Sequence, residues 1–220
     1  MHYLNTPPTT PVSSKVPFGH RLLNSLSLEE TYKLLNINII QSSAMPNASK
    51  VKANPFKWEE IKYIVEQNQL ELFARSQEET VRYLDFKHRL KKAGVPILDH
   101  IIKHELHWKE DELKQEGDFF SDPSTTTVIY NQFPYYFEPQ VKHLCAWSKV
   151  YVPADPNSPC GDISPETRAK IDDYVYKTFI EPNGLDKENV CWFKNWESLQ
   201  SVKSISHIHI LINDVDGVIN

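Results

Sequence analysis

The stretch Lys203-Ser204-Ile205-Ser206-His207-Ile208-His209-Ile210-Leu211-Ile212 alternates histidine with isoleucine in its second half. Successive side chains of a β-strand point to opposite faces of a sheet, so His207 and His209 share one face. The isoleucines that alternate with them share the other face, where they can enter a hydrophobic core. The stretch therefore predicts a half-buried strand that presents two imidazoles side by side.

Two neighbouring imidazoles suit chemistry in which one attacks as a nucleophile and the other orients it or donates a proton. A structural pair that only hydrogen-bonds within the fold is the alternative reading. Asn195 lies twelve positions before His207, and Ser204 lies three positions before it. These polar residues extend the candidate site beyond the strand itself.

Composition limits the classes of function that need to be considered. The chain has 220 residues, enough for one sizeable core, and a net charge of -5, which offers no basic field for nucleic acid or an anionic membrane. The beginning lacks the order of a secretory signal, and no apolar run approaches the length of a membrane span. Three cysteines without CxxC spacing indicate reduced thiols. A cytoplasmic location is therefore expected.

The N-terminal part differs in composition from the rest of the chain. Residues 1–53 are rich in Pro, Ser and Thr and are expected to be largely disordered, with a short helix after the capping box that starts at Ser27. The polar stretch from Gln41 to Ala53 resembles a linker. One folded domain is therefore expected over 54–220.

Within that domain, helix signals precede strand signals. Asn54-Pro55, Ser76 and the segment from Ile97 predict helices in the first half, and Ser164-Pro165 predicts one in the second half. β-Branched and aromatic runs predict four strands, over Thr126–Asn131, Val141–Val152, Val190–Phe193 and Ile205–Ile212. The expected class is α+β, with a mostly antiparallel sheet and a helical N-terminal portion.

Two long blocks carry a family resemblance. NQFPYYFEPQVKHLCAWSK begins at Asn131, and WFKNWESLQSVKSISHIHI begins at Trp192. In this order they resemble the signature of the fungal N-acetylglucosamine-induced protein family, over roughly residues 56 to 213. One departure is Gln132, where the family pattern has Asp. The resemblance implies a role linked to amino-sugar metabolism, including chitin precursors.

The same blocks are more distantly similar to the histidine-triad superfamily, whose members hydrolyse or transfer nucleotides. That resemblance implies a sheet of histidine-triad type, in which His209 is the nucleophile and His207 its supporting partner. It also implies that Asn195 and Ser204 bind phosphate. Further ligand-binding candidates, all from the first block, are Asn131, His143 and Lys149.

The third alternating position of the strand departs from the histidine-triad pattern. Leu211 occupies it, where that superfamily has His or, in its transferase branch, Gln. Losing one hydrogen bond to a transition state costs on the order of 10²–10³ in rate. Two functions therefore stay open: a nucleotidyl transferase or phosphohydrolase that needs no cofactor, and a non-catalytic regulatory or interaction module. The expected partner is a nucleotide or nucleotide-sugar, and the resemblance is compatible with a homodimer.

A metal site on a helix is the competing interpretation of the other histidines. His100, His104 and His107 have the i, i+4, i+7 spacing of one helix face. Their order differs from the HExxH motif of zinc proteases, and no further ligand is identifiable. A solvated helix face is the preferred interpretation, and no metal is expected.

Overall fold

A computed structural model describes residues 26–219 of the chain, except 46, 110, 112 and 114–116. The disorder predicted for the first twenty residues lies outside the described residues. Within them, five α-helices accompany two antiparallel sheets. The predicted α+β class with mostly antiparallel strands is therefore confirmed.

The helices occupy the first half of the described chain, with one exception. Their bounds are Leu28–Leu34 (α1), Trp58–Glu66 (α2), Gln77–Lys92 (α3), Ile97–His100 (α4) and Pro165–Val175 (α5). Both α4 and α5 continue into a π-helical turn, over Ile101–Glu105 and Tyr176–Ile180 respectively.

The larger sheet has four strands in the order β3-β4-β6-β5, and every pair is antiparallel. Their bounds are Thr126–Tyr130 (β3), Val141–Ser148 (β4), Val190–Phe193 (β5) and Ser206–Asn213 (β6). The strand β6, which carries the alternating histidines, is hydrogen-bonded on both sides and therefore lies inside the sheet.

The two faces of this sheet pack against different parts of the chain. The isoleucines of β6 at 208, 210 and 212 lie on one face in a buried cluster with Ile171 and Val175 of α5. His207, His209 and Leu211 point to the other face, as the alternation predicted. Leu211 is fully buried there, in a cluster that includes aromatic residues from the first half of the chain.

A β-hairpin lies before residue 54, in the part of the chain that includes the predicted linker. Strands Ile37–Ile40 (β1) and Ser49–Lys52 (β2) pair antiparallel, so part of the presumed linker is a strand. Leu35 and Ile37 are buried in the cluster that contains Leu211, and the backbone N–H of Lys52 donates to the Arg75 carbonyl at 2.7 Å. The linker interpretation is wrong for Ser49–Lys52, because Val51 is the one apolar residue of that strand and gives only a weak strand signal.

Three of the sequence-based helix starts are confirmed by the caps. Ser27, Ser76 and Ser164 each accept a hydrogen bond from a backbone N–H in the first turn of the helix that follows. The start expected at Asn54 is wrong, because α2 begins at Trp58 while Phe56 forms a β-bridge with Phe137.

The helix expected over Ile97 to Trp108 is also shorter than predicted. It widens into the π-helical turn and stops before His107, whose φ of 53° lies in the left-handed region.

No helix among the described residues has both the length and the apolar character that crossing a bilayer requires.

Candidate functional site

The pairing of β4, β6 and β5 places His209 at the centre of a cluster. Cys145 lies directly opposite His209 on β4, and Phe193 lies opposite it on β5. The Phe193 ring stacks on the His209 ring with centroids 4.7 Å apart and planes 14° apart. His143 lies two residues before Cys145 and therefore on the same face, so both flanking strands hold the imidazole in place.

Hydrogen bonds fix the tautomer of His209. Asn131 Oδ1 accepts from the Phe133 N–H at 2.9 Å, so its amide nitrogen is the end that faces His143 Nε2, at 3.1 Å. His143 Nε2 must then be an acceptor, and the 3.0 Å contact with His209 Nδ1 requires a proton on Nδ1. His209 Nε2 therefore carries a lone pair.

The lone pair of His209 faces Asn195. The Asn195 Nδ2 lies 3.1 Å from His209 Nε2 and donates to it. The Asn195 Oδ1 is buried and has no hydrogen-bond partner among the described residues. One end of this amide is therefore used to hold the histidine, while the other end remains open to a further donor.

The histidines of the cluster are neutral at physiological pH. Burial, together with a smaller contribution from the nearby Arg75 charge, lowers the pKa of His143 to about 3. Burial likewise lowers the pKa of His207 to about 4, with a contribution from Lys194. The pKa of His209 is held well below its usual value, first by burial and then by the proximity of His207, His143 and Arg75, which disfavours a further positive charge. The site is thus built from uncharged imidazoles beside two cations.

His207 lies beside His209 in a different environment. Its ring stacks on Trp147 with centroids 4.1 Å apart and planes 24° apart. It meets the His209 ring edge to face at 5.2 Å. The two imidazoles predicted to share a face are therefore in contact, and His207 is the less buried of the two.

A cavity of about 200 Å³ opens on this face of the sheet. Aromatic rings make up much of its wall, and Arg75 and Glu105 are the formally charged residues among the described lining. Polar and aromatic lining residues include Tyr83, Asn131, Phe133, Tyr135, Trp147, Asn195, Ser201, His207 and His209. The cavity therefore combines ring-stacking surfaces with neutral hydrogen-bonding groups, as small-molecule sites commonly do.

Arg75 is a cavity residue that no local sequence signal marks as a site residue. Its Nε donates to the Phe133 carbonyl at 2.9 Å, and its guanidinium lies 4.4 Å from the Tyr83 ring centroid and 5.3 Å from that of Tyr135. Arg75 precedes the Ser76 cap of α3 by one residue. Arg75 therefore lies just before the N-terminus of α3. Nothing local in the sequence shows that the four-stranded sheet lies next to it.

The structure brings together most, but not all, of the predicted site residues. Asn131, Asn195, His207 and His209 line the cavity, and His143 contacts His209 from behind. Ser204 is exposed and lies outside the cavity lining, where Ser201 is found instead. Lys149 lies 5.4 Å from the Trp108 ring centroid and is also outside the lining.

The helix histidines do not gather into a metal site. The rings of His100 and His104 lie 4.9 Å apart, whereas His107 leaves the helix face in a left-handed conformation. In the described part of the chain, the group whose donor atoms converge is His143, Cys145 and His209, all within 4.8 Å of one another. Cys145 was not among the predicted site residues. The spacing His-x-Cys-x-Trp on one strand face was the signal that could have found it.

The chain is 44% identical over 230 residues to N-acetylglucosamine-induced protein 1 of Candida albicans, covering 97% of this chain and 85% of that protein. It is 34% identical over 169 residues to the uncharacterized protein YPL067C of Saccharomyces cerevisiae, covering 76% and 83% respectively.

A solved structure titled "Crystal Structure of HTC1" is also similar, at 35% identity and a TM-score of 0.60, over 71% of this chain and 84% of that one. Residues 57–213 match the family described as "Protein of unknown function (DUF3605)", which includes every residue of the histidine cluster and the cavity wall named above. The chain therefore belongs to the DUF3605 family and is a homologue of Candida N-acetylglucosamine-induced protein 1.

Proposed function

We propose that this chain binds a nucleotide or nucleotide-sugar in the cavity beside His207 and His209. The observation that carries the proposal is the combination of neutral histidines with nearby cations. Arg75 and Lys194 are close enough to lower histidine pKa values, so their positive field reaches the imidazoles. A phosphate in the cavity would be attracted by that field, while neutral His207 and the second N–H of the Asn195 amide would donate hydrogen bonds to it.

The size and the wall of the cavity define how such a ligand would fit. A volume of about 200 Å³ is below the roughly 300–1,000 Å³ of many ligand sites. One ring of the ligand therefore enters, between aromatic residues such as Tyr83, Tyr135 and Trp147, and the remainder lies at the mouth. Because the relative from Candida albicans is named for N-acetylglucosamine, an amino-sugar derivative is the first ligand to test. We also propose a cytoplasmic location, because the three cysteines are free thiols.

Turnover is a second candidate function, favoured by the tautomer of His209. His209 has its proton on Nδ1, so its Nε2 lone pair could attack phosphorus once Asn195 releases it, as in the histidine-triad type of sheet that we propose for β3-β4-β6-β5. His209 would form a P–N bond to the α-phosphorus, the P–O bond to the leaving group would break, and water would later cleave the P–N bond. The buried Leu211 supplies no hydrogen bond to this reaction, so binding without turnover is the primary proposal.

Isothermal titration calorimetry with UDP-N-acetylglucosamine, UMP and N-acetylglucosamine 1-phosphate tests the binding proposal. We expect one of these ligands to bind the full chain. We expect His209→Gln to weaken that binding at least about tenfold, since His209 holds the Asn195 amide and one charge-assisted contact contributes about 1.5–3 kcal/mol. His88→Gln is the matched control, because His88 is exposed on α3 outside the cavity lining.

Two results would contradict the proposal. One is the absence of heat with all three ligands at millimolar concentration. The other is binding that survives His209→Gln unchanged. Release of a nucleoside monophosphate from the bound ligand, followed by chromatography and abolished by His209→Gln, would establish the second candidate function as well.

A further inference from the structure

Two neighbouring strands of the sheet carry three potential metal ligands on the same face. His143 and Cys145 are two residues apart on β4, so they share a face, and Cys145 lies directly opposite His209 on β6. This arrangement depends on the register of two strands rather than on flexible loops. The ligand positions are therefore fixed by the fold.

The donor atoms of these residues converge on one point. His143 Nε2 and His209 Nδ1 are 3.0 Å apart, and Cys145 Sγ is 3.5 Å from His209 Nδ1. With Zn–N of about 2.0–2.1 Å and Zn–S of about 2.3 Å, two ligands of one tetrahedral ion lie about 3.3–3.6 Å apart. These two separations need at most a few tenths of an ångström of adjustment, and the third pair, which lies within 4.8 Å, closes by up to about 1.2 Å.

We propose that His143, Cys145 and His209 bind one Zn²⁺ ion, or another borderline-soft cation of that class, with a fourth position that faces the cavity. Two imidazoles and one thiolate form a ligand set that favours such a cation over Mg²⁺ or Ca²⁺. Because Cys145 and His209 also line the cavity, the remaining position is open to water or to a ligand. This inference departs from the sequence-based expectation that no metal is needed.

The protons in the cluster can be accounted for when the ion binds. Both imidazoles are already neutral, so no proton leaves them. The Asn131 amide N–H that donates to His143 Nε2 turns away, which frees that lone pair for the metal. The Cys145 thiol, whose pKa burial raises to about 12, loses its proton to solvent as the Zn–S bond forms. The His209 proton moves from Nδ1 to Nε2, which frees Nδ1 for the metal.

Asn195 supplies the acceptor that this shift requires. Its buried Oδ1 has no partner among the described residues, and rotation of the amide by half a turn presents that oxygen to His209 Nε2–H. A hydrogen bond of this kind, from the second nitrogen of a metal-bound histidine to a fixed acceptor, is the usual support of such ligands. The open end of the Asn195 amide therefore has a role in the metal-bound state.

The test uses the purified full chain without nucleotide, so that its result is independent of the proposed ligand. Zn²⁺ is titrated in competition with a chromophoric chelator, and Co²⁺ is used as a spectroscopic probe. We expect one Zn²⁺ per chain and a sulfur-to-cobalt charge-transfer band in the near ultraviolet. Cys145→Ser should remove the band and weaken Zn²⁺ binding at least about 100-fold, since even outer-shell changes cost about 10–100-fold.

Cys191→Ser is the matched control, because Cys191 is a free thiol on β5 that is outside the converging group. It should leave both readouts unchanged. X-ray absorption of the Zn²⁺ complex of the unaltered chain provides a measurement that does not depend on a variant folding. One sulfur at about 2.3 Å with two nitrogens at about 2.0–2.1 Å would support the proposal. A shell without sulfur, or no Zn²⁺ binding at micromolar free metal, would overturn it.

Discussion

At the scale of single residues, the histidine cluster couples stability to pH. A histidine whose pKa is lower in the folded state than its unfolded value of about 6.5 binds fewer protons when folded. As the pH falls below about 6.5, the histidine binds a proton in the unfolded state but not in the folded state. The free energy of unfolding therefore decreases as pH falls. For His143 and His207, with pKa values of about 3 and about 4, the pH range in which stability is lost extends downward from about pH 6.5.

We therefore expect the free energy of unfolding to be nearly constant above pH 7 and to decrease steeply between pH 6.5 and 5. Each buried histidine adds a slope of up to about 1.4 kcal/mol per pH unit in that interval. Urea denaturation at several pH values measures the slope. His207→Phe keeps an aromatic ring against Trp147. It should reduce the slope of the unfolding free energy against pH by up to about 1.4 kcal/mol per pH unit, the contribution of one histidine. A slope that is flat, or equal in this variant, would refute the assignment.

At the scale of elements, β6 supports the site through its opposite face. Ile210 is fully buried between the sheet and α5, so truncation leaves a cavity in the core. We expect Ile210→Ala to lower the free energy of unfolding by about 2–5 kcal/mol in urea denaturation. Ile39→Ala is the control, since Ile39 on β1 is 57% exposed and its truncation should cost well under that. Equal losses in the two variants would contradict the described packing.

The elements that the sequence predicted are those with local signals. The alternation of β6 and the serine caps of α1, α3 and α5 act within a few residues, so they can be recognised without knowing the fold. The same signal also predicts the two central histidines of the candidate site, because His207 and His209 share a face wherever the strand lies.

The other parts of the site, such as Cys145 and Arg75, depend on contacts between distant parts of the chain. The pairing of Cys145 with His209 joins positions 64 residues apart, and Arg75 reaches Phe133 across 58 residues. No local pattern encodes that register. Ser204 shows the converse, because its closeness in sequence to His207 did not bring it into the cavity. The hairpin of β1 and β2 was missed for a related reason. It is stabilised by Leu35 and Ile37, which pack against residues that are distant in the sequence.

At the scale of the whole molecule, the N-terminal hairpin belongs to the same core as the site. A chain that starts at residue 54 lacks Leu35 and Ile37 and leaves the Arg75 carbonyl without its Lys52 donor. We expect this truncation to be less stable by roughly 3–6 kcal/mol than a chain that starts at residue 26, because burying each such side chain contributes about 1.5–3 kcal/mol.

Thermal unfolding and binding of a hydrophobic dye compare the two truncated chains. The shorter one should unfold at a lower temperature and bind more dye, because the cluster around Leu211 becomes accessible. Equal stability would mean that residues 26–53 are dispensable for the fold, and that the boundary expected from composition was the right one.

The stacking of Trp147 on His207 gives the site an optical reporter of its own. An indole 4.1 Å from an imidazole loses fluorescence when that imidazole becomes charged or when a bound molecule changes its environment. The emission of Trp147, obtained by subtracting the spectrum of a Trp147→Phe chain from that of the unaltered one, therefore follows events at His207. Occupancy of the cavity can thus be monitored in real time without attaching a dye or labelling a ligand.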